Sequence, residues 1–366
     1  MKFSIVKSKF LEALQTVQNV VSSKGTLQIL SNALIEVEDD QLCITTTDLD
    51  ISVRCTVACE VQHPGSTTLP IRRLTSIIRE LNEGNIFVEV SDNDEATVQS
   101  GSSYFKIIGL PIRDFPAVLN AEGKFCYRMD QTVFKEMLRK TSYAASLDET
   151  RRVLNGVLLA FKDNKLTMVA TDGRRLALVS QEVEFPEDAE VEMILPTKAV
   201  SELMHILGEG DLRIYSQKNQ IVFEANNTIM SSKLVDGVYP NYRQVIPSGC
   251  DERVVIEREE LLSALRRVSV VTTDKSNATR LTFSANQLTI SIATPEVGEA
   301  RDMIPVKYVG KEISIIFNPE YVMDPLKNIA DNEVAIELND GYSPALLKCM
   351  SGDLPFLYVL MPLRLN

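Results

Sequence analysis

The sequence predicts an α+β fold repeated three times in tandem, each copy carrying two helices among antiparallel strands. Three sets of markers at one interval predict it. Apolar β-type runs end in a threonine: Leu42-Cys43-Ile44-Thr45 leads into Thr46-Thr47-Asp48, Leu166-Thr167-Met168-Val169 into Ala170-Thr171-Asp172, and Leu288-Thr289-Ile290-Ser291-Ile292 into Ala293-Thr294-Pro295. The runs begin at positions 42, 166 and 288, so the intervals are 124 and 122 residues. Prolines at 70, 196 and 319 keep the same spacing, as do Phe115-Pro116, Tyr239-Pro240 and Met361-Pro362. Solenoid units are roughly 20–50 residues long, so this period has the size of a domain. The 366-residue chain holds three.

Each copy opens on a short strand and a first helix. Phe10, Leu14, Val17 and Val21 fall at i, i+4, i+7 and i+11; Phe134, Leu138, Thr141 and Ala145 repeat that spacing, and Leu261, Leu265 and Val268 its first part. This is the apolar stripe of an amphipathic helix. The second helix is expected near its proline, which the first turn tolerates because its N–H is not needed there. Its stripes are Leu74, Ile77 and Leu81; Val200, Leu203 and Leu207; and Val322, Leu326 and Ile329. Alternating segments such as Ile86-Phe87-Val88-Glu89-Val90, Gln220-Ile221-Val222-Phe223-Glu224 and Val334-Ala335-Ile336-Glu337-Leu338 read as strands. Glu38-Asp39-Asp40, Lys162-Asp163-Asn164 and Asn339-Asp340-Gly341 supply turn chemistry between strands. Loop residues at 120–124 and 247–249 suggest domains 1–121, 122–247 and 248–366.

Composition sets limits on function. Hydrophobic residues make up 45 %, enough for three cores, and no run approaches the roughly 18 apolar residues of a membrane span. The start, Met1-Lys2-Phe3-Ser4-Ile5-Val6-Lys7, lacks the apolar stretch of a signal peptide, and the six scattered cysteines read as reduced cytosolic thiols, so a cytoplasmic protein is expected. Only Cys55 and Cys59 are close together, without a second pair or histidine cluster to complete a zinc site. No nucleotide-binding glycine loop and no Gly-x-Ser-x-Gly appears. The histidines are His63 and His205 alone. Asp48 and Asp172 occupy equivalent places, and the third copy has Pro295 there, which suits turn formation better than a carboxylate dyad. A non-enzyme without cofactor or metal is therefore expected. The rivals are a hydrolase or transferase using Asp172 and His205, and a monomeric scaffold that binds only proteins.

The net charge of −12 repels nucleic acid as a whole. Yet cations recur on the helices: Arg72, Arg73 and Arg79 on the second helix of copy one, Lys198 in copy two, Lys135, Arg139 and Lys140 on the first helix of copy two, and Arg266 and Arg267 in copy three. Arg139 and Arg266 follow the core residues Leu138 and Leu265 at one offset. A solvated helix face explains any one of them; recurrence favours a shared basic surface.

The residues also carry a family resemblance. Thr171-Asp172-Gly173-Arg174-Arg175-Leu176, Ser232-Lys233-Leu234-Val235-Asp236-Gly237, Tyr239-Pro240-Asn241-Tyr242, Leu154-Asn155-Gly156, Phe317-Asn318-Pro319 and the ending Met361-Pro362-Leu363-Arg364-Leu365 resemble the bacterial sliding clamps, the beta subunits of DNA polymerase III. The resemblance spans the whole chain. It implies a head-to-tail homodimer, a ring of six similar domains with helices lining the hole. Such a ring holds duplex DNA topologically and needs only weak, sequence-independent phosphate contacts.

The resemblance further implies a groove between the second and third domains for short motifs of the polymerase III alpha subunit, the clamp loader delta subunit, other DNA polymerases and repair proteins. By position its wall comprises Leu154, Thr171, Gly173, Arg174, Leu176, Pro240, Val245, Val359, Met361, Pro362 and Leu363, with Arg151 and Arg364 as polar neighbours. For Leu154 or Val359 alone, an ordinary core position is the better reading. The C-terminal tail is expected to be exposed and loosely held. Arg174 stands where relatives often have His, Gln244 where some have Arg, and Asn366 extends the usual end. DNA-facing candidates are Lys24, Arg72, Arg73, Arg139, Lys198 and Arg266; Asp148, an acid at a loop position facing phosphate, is left out. The ring seam would bring Phe105 and Ile107 against Val270 and Val271.

Overall fold

Among the described residues, six α-helices follow the expected pairing. The first helices are α1 (Lys7–Val17), α3 (Gln131–Thr141) and α5 (Arg258–Val268); the second helices are α2 (Ile71–Glu80), α4 (Thr197–Ile206) and α6 (Pro319–Asn328). The computed structural model describes residues 1–21, 27–91, 93–118, 125–273, 277–295, 297–350 and 354–364, without the side chains of 125 and 126. The stripes are buried as the periodicity requires: Phe10, Leu14 and Val17, Phe134 and Leu138, and Leu261, Leu265 and Val268 are each at most 2 % exposed. Except for α5, the helices are shorter than their stripes. Val21 and Ala145 lie in the turns that follow, and Leu81, Leu207 and Ile329 just beyond the second helices. The prolines also differ in detail. Pro70 and Pro196 end strands directly ahead of their helices, whereas Pro319 is the first helical residue, with the Asn318 side chain accepting from the Glu320 N–H.

One device recurs that the periodicity does not reveal. The residue opening each first helix ties the end of the second helix. Lys7 Nζ donates to the Leu81 carbonyl at 2.5 Å. Gln131 accepts from the Gly208 N–H at 2.9 Å and donates to the Asp211 carbonyl at 3.1 Å. Arg258 donates to the Leu326 and Asp331 carbonyls, both at 2.8 Å. Lys7 and Arg258 thereby satisfy carbonyls at the end of the second helix, which the helix leaves unpaired, whereas Gln131 ties the segment that follows α4.

The chain forms two compact units, Met1–Lys135 with Lys198–Leu234, and Glu136–Thr197 with Val235–Asn366. The first holds a five-stranded antiparallel sheet, in the order Glu60–His63, Lys2–Val6, Asn85–Val90, Glu95–Ser100, Ser103–Ile108. It also holds an eight-stranded sheet in which Thr228–Lys233 of the middle repeat pairs with Ile51–Ala58 of the first. The second unit has an eight-stranded sheet in which Arg175–Glu182 pairs with Phe356–Leu360 of the last repeat. Its four-stranded sheet runs Gly298–Pro305, Gln287–Thr294, Thr279–Ser284, Ile313–Phe317. Hydrogen-bonded ladders thus cross from one repeat to the next, and the middle repeat contributes to both units.

Candidate functional site

The site begins at the turn after strand Lys165–Thr171. Thr171 Oγ1 donates to the Arg175 carbonyl at 2.6 Å and accepts from the Gly173 N–H at 3.1 Å. Asp172 Oδ1 accepts from the Arg174 and Arg175 N–H groups at 2.8 and 3.1 Å. Gly173 has φ +87°, a conformation glycine adopts without cost. The first repeat builds the same turn: Thr47 Oγ1 donates to the Ile51 carbonyl and accepts from the Leu49 N–H, while Asp48 Oδ1 accepts from the Asp50 and Ile51 N–H groups. Here Leu49 sits at φ +79°. Both aspartates organise turns.

Strand Arg175–Glu182 leaves this turn paired with Phe356–Leu360, and alternation divides the pair into two faces. On one face Leu176 lies opposite Val359 and Leu178 opposite Leu357. Leu176 and Val359 are 2 % and 1 % exposed and pack in a cluster with Leu158, Ala160, Val169, Ile194, Tyr239, Tyr242 and Leu346. Partly exposed Val153, Leu154, Leu178, Val235, Ile246, Cys250 and Leu357 lie against it. Burial pushes the Tyr239 and Tyr242 phenols up, so both stay neutral.

The opposite face holds Arg175. Its Nε is 3.1 Å from Asp172 Oδ2, its Nη1 pairs with Asp324 Oδ2 from α6, and its Nη2 donates to the Tyr143 carbonyl at 2.6 Å. The guanidinium lies 4.4 Å from the Tyr321 ring centroid. Tyr358, opposite Ala177, donates to the Tyr321 carbonyl at 2.9 Å.

The remaining groove candidates surround the apolar cluster. Arg151 is exposed and donates to the Asp172 carbonyl at 2.8 Å. Arg174, Pro240 and Val245 are exposed, and Leu154 is half-buried. Met361 is 38 % exposed, Pro362 and Leu363 are half-buried, and Arg364 is exposed. The tail through Leu363 is not loose as expected of a terminus: the Met361 N–H donates to the Arg174 carbonyl at 3.0 Å and the Leu363 N–H to the Ile316 carbonyl at 2.7 Å. Ile194 and Leu346 went unrecognised in the sequence because each belongs to a stretch that reads as ordinary strand, and Tyr242, although part of a turn quoted for the resemblance, was not assigned to the groove.

Three domain profiles of the DNA polymerase III beta subunit match this chain: the N-terminal over residues 1–119, the central over 128–241 and the C-terminal over 243–364. The chain belongs to the bacterial sliding clamp family. It is 34 % identical over 367 residues to the beta sliding clamp of Chlamydia muridarum and 34 % identical over 370 residues to that of Escherichia coli, covering all of both chains. The solved sliding clamp of Bartonella birtlesii, bound to griselimycin, superimposes with a TM-score of 0.95 at 34 % identity, each chain fully covered. As a sliding clamp the protein has three clamp domains, encircles duplex DNA as a homodimer and tethers the replicative polymerase. It is a processivity factor and not an enzyme.

The clamp's candidate DNA-facing cations have distinct surroundings. Arg72 and Arg73 are exposed on α2; Arg72 Nη2 donates to the Val21 carbonyl at 2.8 Å. Arg73, and Arg266 on α5, make no hydrogen bond or ion pair among the described residues. Arg139 pairs with Glu136 at 2.7 Å, and Lys198 with Asp48 Oδ2. Lys24 lies outside the described residues. Of the seam candidates, Phe105 is 36 % and Val270 80 % exposed, Val271 is half-buried, and Ile107 is 3 % exposed in its own core.

One turn beyond Lys198 on α4, Glu202 is 6 % exposed, and its Oε2 has no hydrogen-bond partner among the described residues. Burial raises its carboxyl above the ordinary range; Asp48 adds to this, and His205 and Lys198 oppose it. The folded chain therefore holds this proton more tightly than the unfolded chain. The stability Glu202 contributes is present at acid pH and is lost as pH rises past about 4.5. Glu202→Gln is expected to raise unfolding free energy at pH 7 by about 0.5–1 kcal/mol and to flatten that decline. Denaturant titrations at pH 5 and pH 7 measure both; equal values for the two proteins would refute it.

Proposed function

We propose that the cluster floored by Leu176 and Val359 is the clamp's docking groove for short apolar motifs. Those motifs would come from the polymerase alpha subunit, the loader delta subunit, other polymerases and repair proteins. The groove residues would be Arg151, Leu154, Thr171, Gly173, Arg174, Leu176, Pro240, Val245, Val359, Met361, Pro362, Leu363 and Arg364. The observation that carries this reading is a contrast between equivalent rungs. Where the second and third repeats pair, the rung is Leu176 opposite Val359; where the first and second pair, it is Ser52 opposite Ser231. The serine rung lines a cleft of about 230 Å³ with Thr47, Asp50 and Lys233. Only the leucine–valine version offers an apolar floor with half-exposed Met361 and Leu363 beside it. Methionine adapts to differently shaped partners.

Two copies would close head to tail into a six-domain ring, with domains 1–121, 122–247 and 248–366. Arg72, Arg73, Arg139, Lys198, Arg266 and Lys24 would face the duplex, and Phe105 would meet Val270 and Val271 at the seam, with Ile107, buried in its own subunit, supporting it from within. The ring would act with the DNA in the cytoplasm. Among the described residues, no helix is long and apolar enough to cross a membrane. Weak phosphate contacts from these cations suit sliding, because an acidic ring does not adhere where it stops. A clamp loaded onto nicked circular plasmid is expected to remain bound in high salt and to be lost once the DNA is linearised. Loss from both forms in high salt would reduce the binding to ordinary electrostatics.

A further inference from the structure

We propose that the cleft floored by Ser52 and Ser231, where the first and second repeats pair, binds the primary amide side chain of an uncharged polar peptide. That its occupant is a peptide rests on the docking-groove proposal. The site and the head group it selects are read from the cleft itself.

The cleft stands at the first junction where the apolar cluster stands at the second. One row of residues crosses four strands of the first eight-stranded sheet as Thr47, Ser52, Ser231 and Val222. The matching row of the second runs Thr171, Leu176, Val359 and Leu346. Pro116 borders the cleft, and its counterpart by spacing is Pro240. The Lys233 N–H donates to the Asp50 carbonyl at 2.9 Å, as the Met361 N–H does to the Arg174 carbonyl at 3.0 Å. The backbone frame is thus shared, and the side chains differ in kind. Hydroxyls replace branched apolar groups on the floor, and Lys233, paired with Asp50 at 2.9 Å, replaces methionine at the rim.

Two polar groups in the cleft are unanswered. Gln220, opposite Lys233 on the next strand, buries its Oε1 without a hydrogen-bond partner among the described residues. Ser231 is 5 % exposed, and its hydroxyl has no partner among them either. The neighbouring hydroxyls are occupied. Thr47 Oγ1 donates to the Ile51 carbonyl and accepts from the Leu49 N–H and the Ser52 hydroxyl, and Ser232 donates to the Lys233 carbonyl. Buried polar groups are ordinarily hydrogen-bonded, so an unanswered pair in one cleft calls for a partner from outside the fold. Leu49 points the same way. It holds φ +79°, where the equivalent turn has Gly173 at +87°, and a leucine is strained there. Its side chain is 47 % exposed, so burial within the chain does not offset that strain. With Pro116 it gives the cleft an apolar lip for the stem of an entering side chain.

Size and charge select the head group. Pockets that hold whole small ligands run to roughly 300–1,000 Å³. This cleft, at about 230 Å³, suits a single side chain. Asp50 and Lys233 are the charged residues of its lining and offset each other, so a neutral head is favoured over an ion. A primary amide carries a donor and an acceptor on separate atoms without charge. It donates to Gln220 Oε1 while accepting from the Ser231 hydroxyl. It also answers Gln220 when that amide turns its nitrogen inward. A carboxylate, an ammonium or an aliphatic side chain meets at most one of these demands.

The test is a titration of the full chain, labelled at its alanine, leucine and methionine methyls and followed by NMR. The probe is the capped tripeptide acetyl-Ala-Asn-Ala-amide, compared with the same tripeptide carrying aspartate, lysine or leucine at its centre. The asparagine peptide is expected to shift the Leu49 and Ala117 methyls saturably in the millimolar range, about 5-fold more tightly than the other three. Gln220→Met keeps the side chain's length and is expected to weaken it about 5-fold. Ser52→Leu with Ser231→Val rebuilds the leucine–valine rung and is expected to abolish it. No shift at Leu49 and Ala117, meaning a cleft that holds water only, would overturn the proposal. So would equal binding of the four peptides, or a Gln220→Met affinity within twofold of the unsubstituted chain. An apolar clamp-binding peptide, read at Met361 and Leu363 of the same chain, tests the groove separately. Its failure beside a bound asparagine peptide overturns the groove and leaves the cleft; the reverse result overturns the cleft alone.

Discussion

Removing Met361–Asn366 is expected to weaken binding of an apolar clamp-binding peptide at least 100-fold while leaving the dimer intact. Met361 and Leu363 present partly exposed apolar side chains beside the Leu176–Val359 floor. Fully burying one Met or Leu side chain contributes about 1.5–3 kcal/mol, so losing two such contacts removes roughly 3 kcal/mol. Every 1.4 kcal/mol is about tenfold in affinity. The structural cost is smaller. The truncation breaks the Met361–Arg174 and Leu363–Ile316 backbone bonds, each a net contribution of about 1 kcal/mol, and leaves strand Phe356–Leu360 paired on both sides. Fluorescence anisotropy with a labelled peptide and sedimentation of the truncated chain separate the two effects. A peptide affinity within threefold of the full chain would remove the tail from the groove.

The legibility of this chain follows the range of the interactions involved. Helix stripes and strand alternation depend on neighbours in sequence, and Phe10, Phe134 and Leu261 show where each first helix faces inward. The turns at Thr47-Asp48 and Thr171-Asp172 were legible for the same reason, since each side chain bonds backbone groups two to four residues away. The ladders that join Ile51–Ala58 to Thr228–Lys233, and Arg175–Glu182 to Phe356–Leu360, were not, because nothing local announces a partner some 180 residues distant. The ties from Lys7, Gln131 and Arg258 were hidden by chemistry. One role is filled by an ammonium, an amide and a guanidinium, and no residue type repeats. The tail looked loose because what holds it are backbone carbonyls, which carry no signature in sequence. For the proposed groove, the resemblance named wall residues by position, whereas Tyr242, Ile194 and Leu346 join the apolar cluster only through tertiary packing.

Arg175→Ala is expected to lower unfolding free energy by about 2–4 kcal/mol, the cost of leaving two partly buried carboxylates without their guanidinium, Asp172 with backbone donors and Asp324 with Lys327 alone. The Arg175 side chain is 10 % exposed, and those of Asp172 and Asp324 are 15 % and 24 % exposed. Without the guanidinium, two acids from distant parts of the chain face one vacated position, and the Tyr143 carbonyl loses its donor. Lysine repairs this only in part, because an ammonium cannot reproduce the planar fork that contacts both acids and lies against Tyr321. Arg175→Met with Asp172→Asn and Asp324→Asn should recover much of the loss, since an apolar or neutral replacement removes the stranded charges. Denaturant unfolding of these variants measures the effect, and a loss below 1 kcal/mol for Arg175→Ala would place the hub among ordinary surface pairs. Peptide affinity should fall with stability in Arg175→Ala and return in the triple variant. Arg175 holds the turn at Asp172 and the start of the strand whose other face carries Leu176. The floor of the proposed groove would therefore be set from beneath, by a residue on the opposite face of the strand.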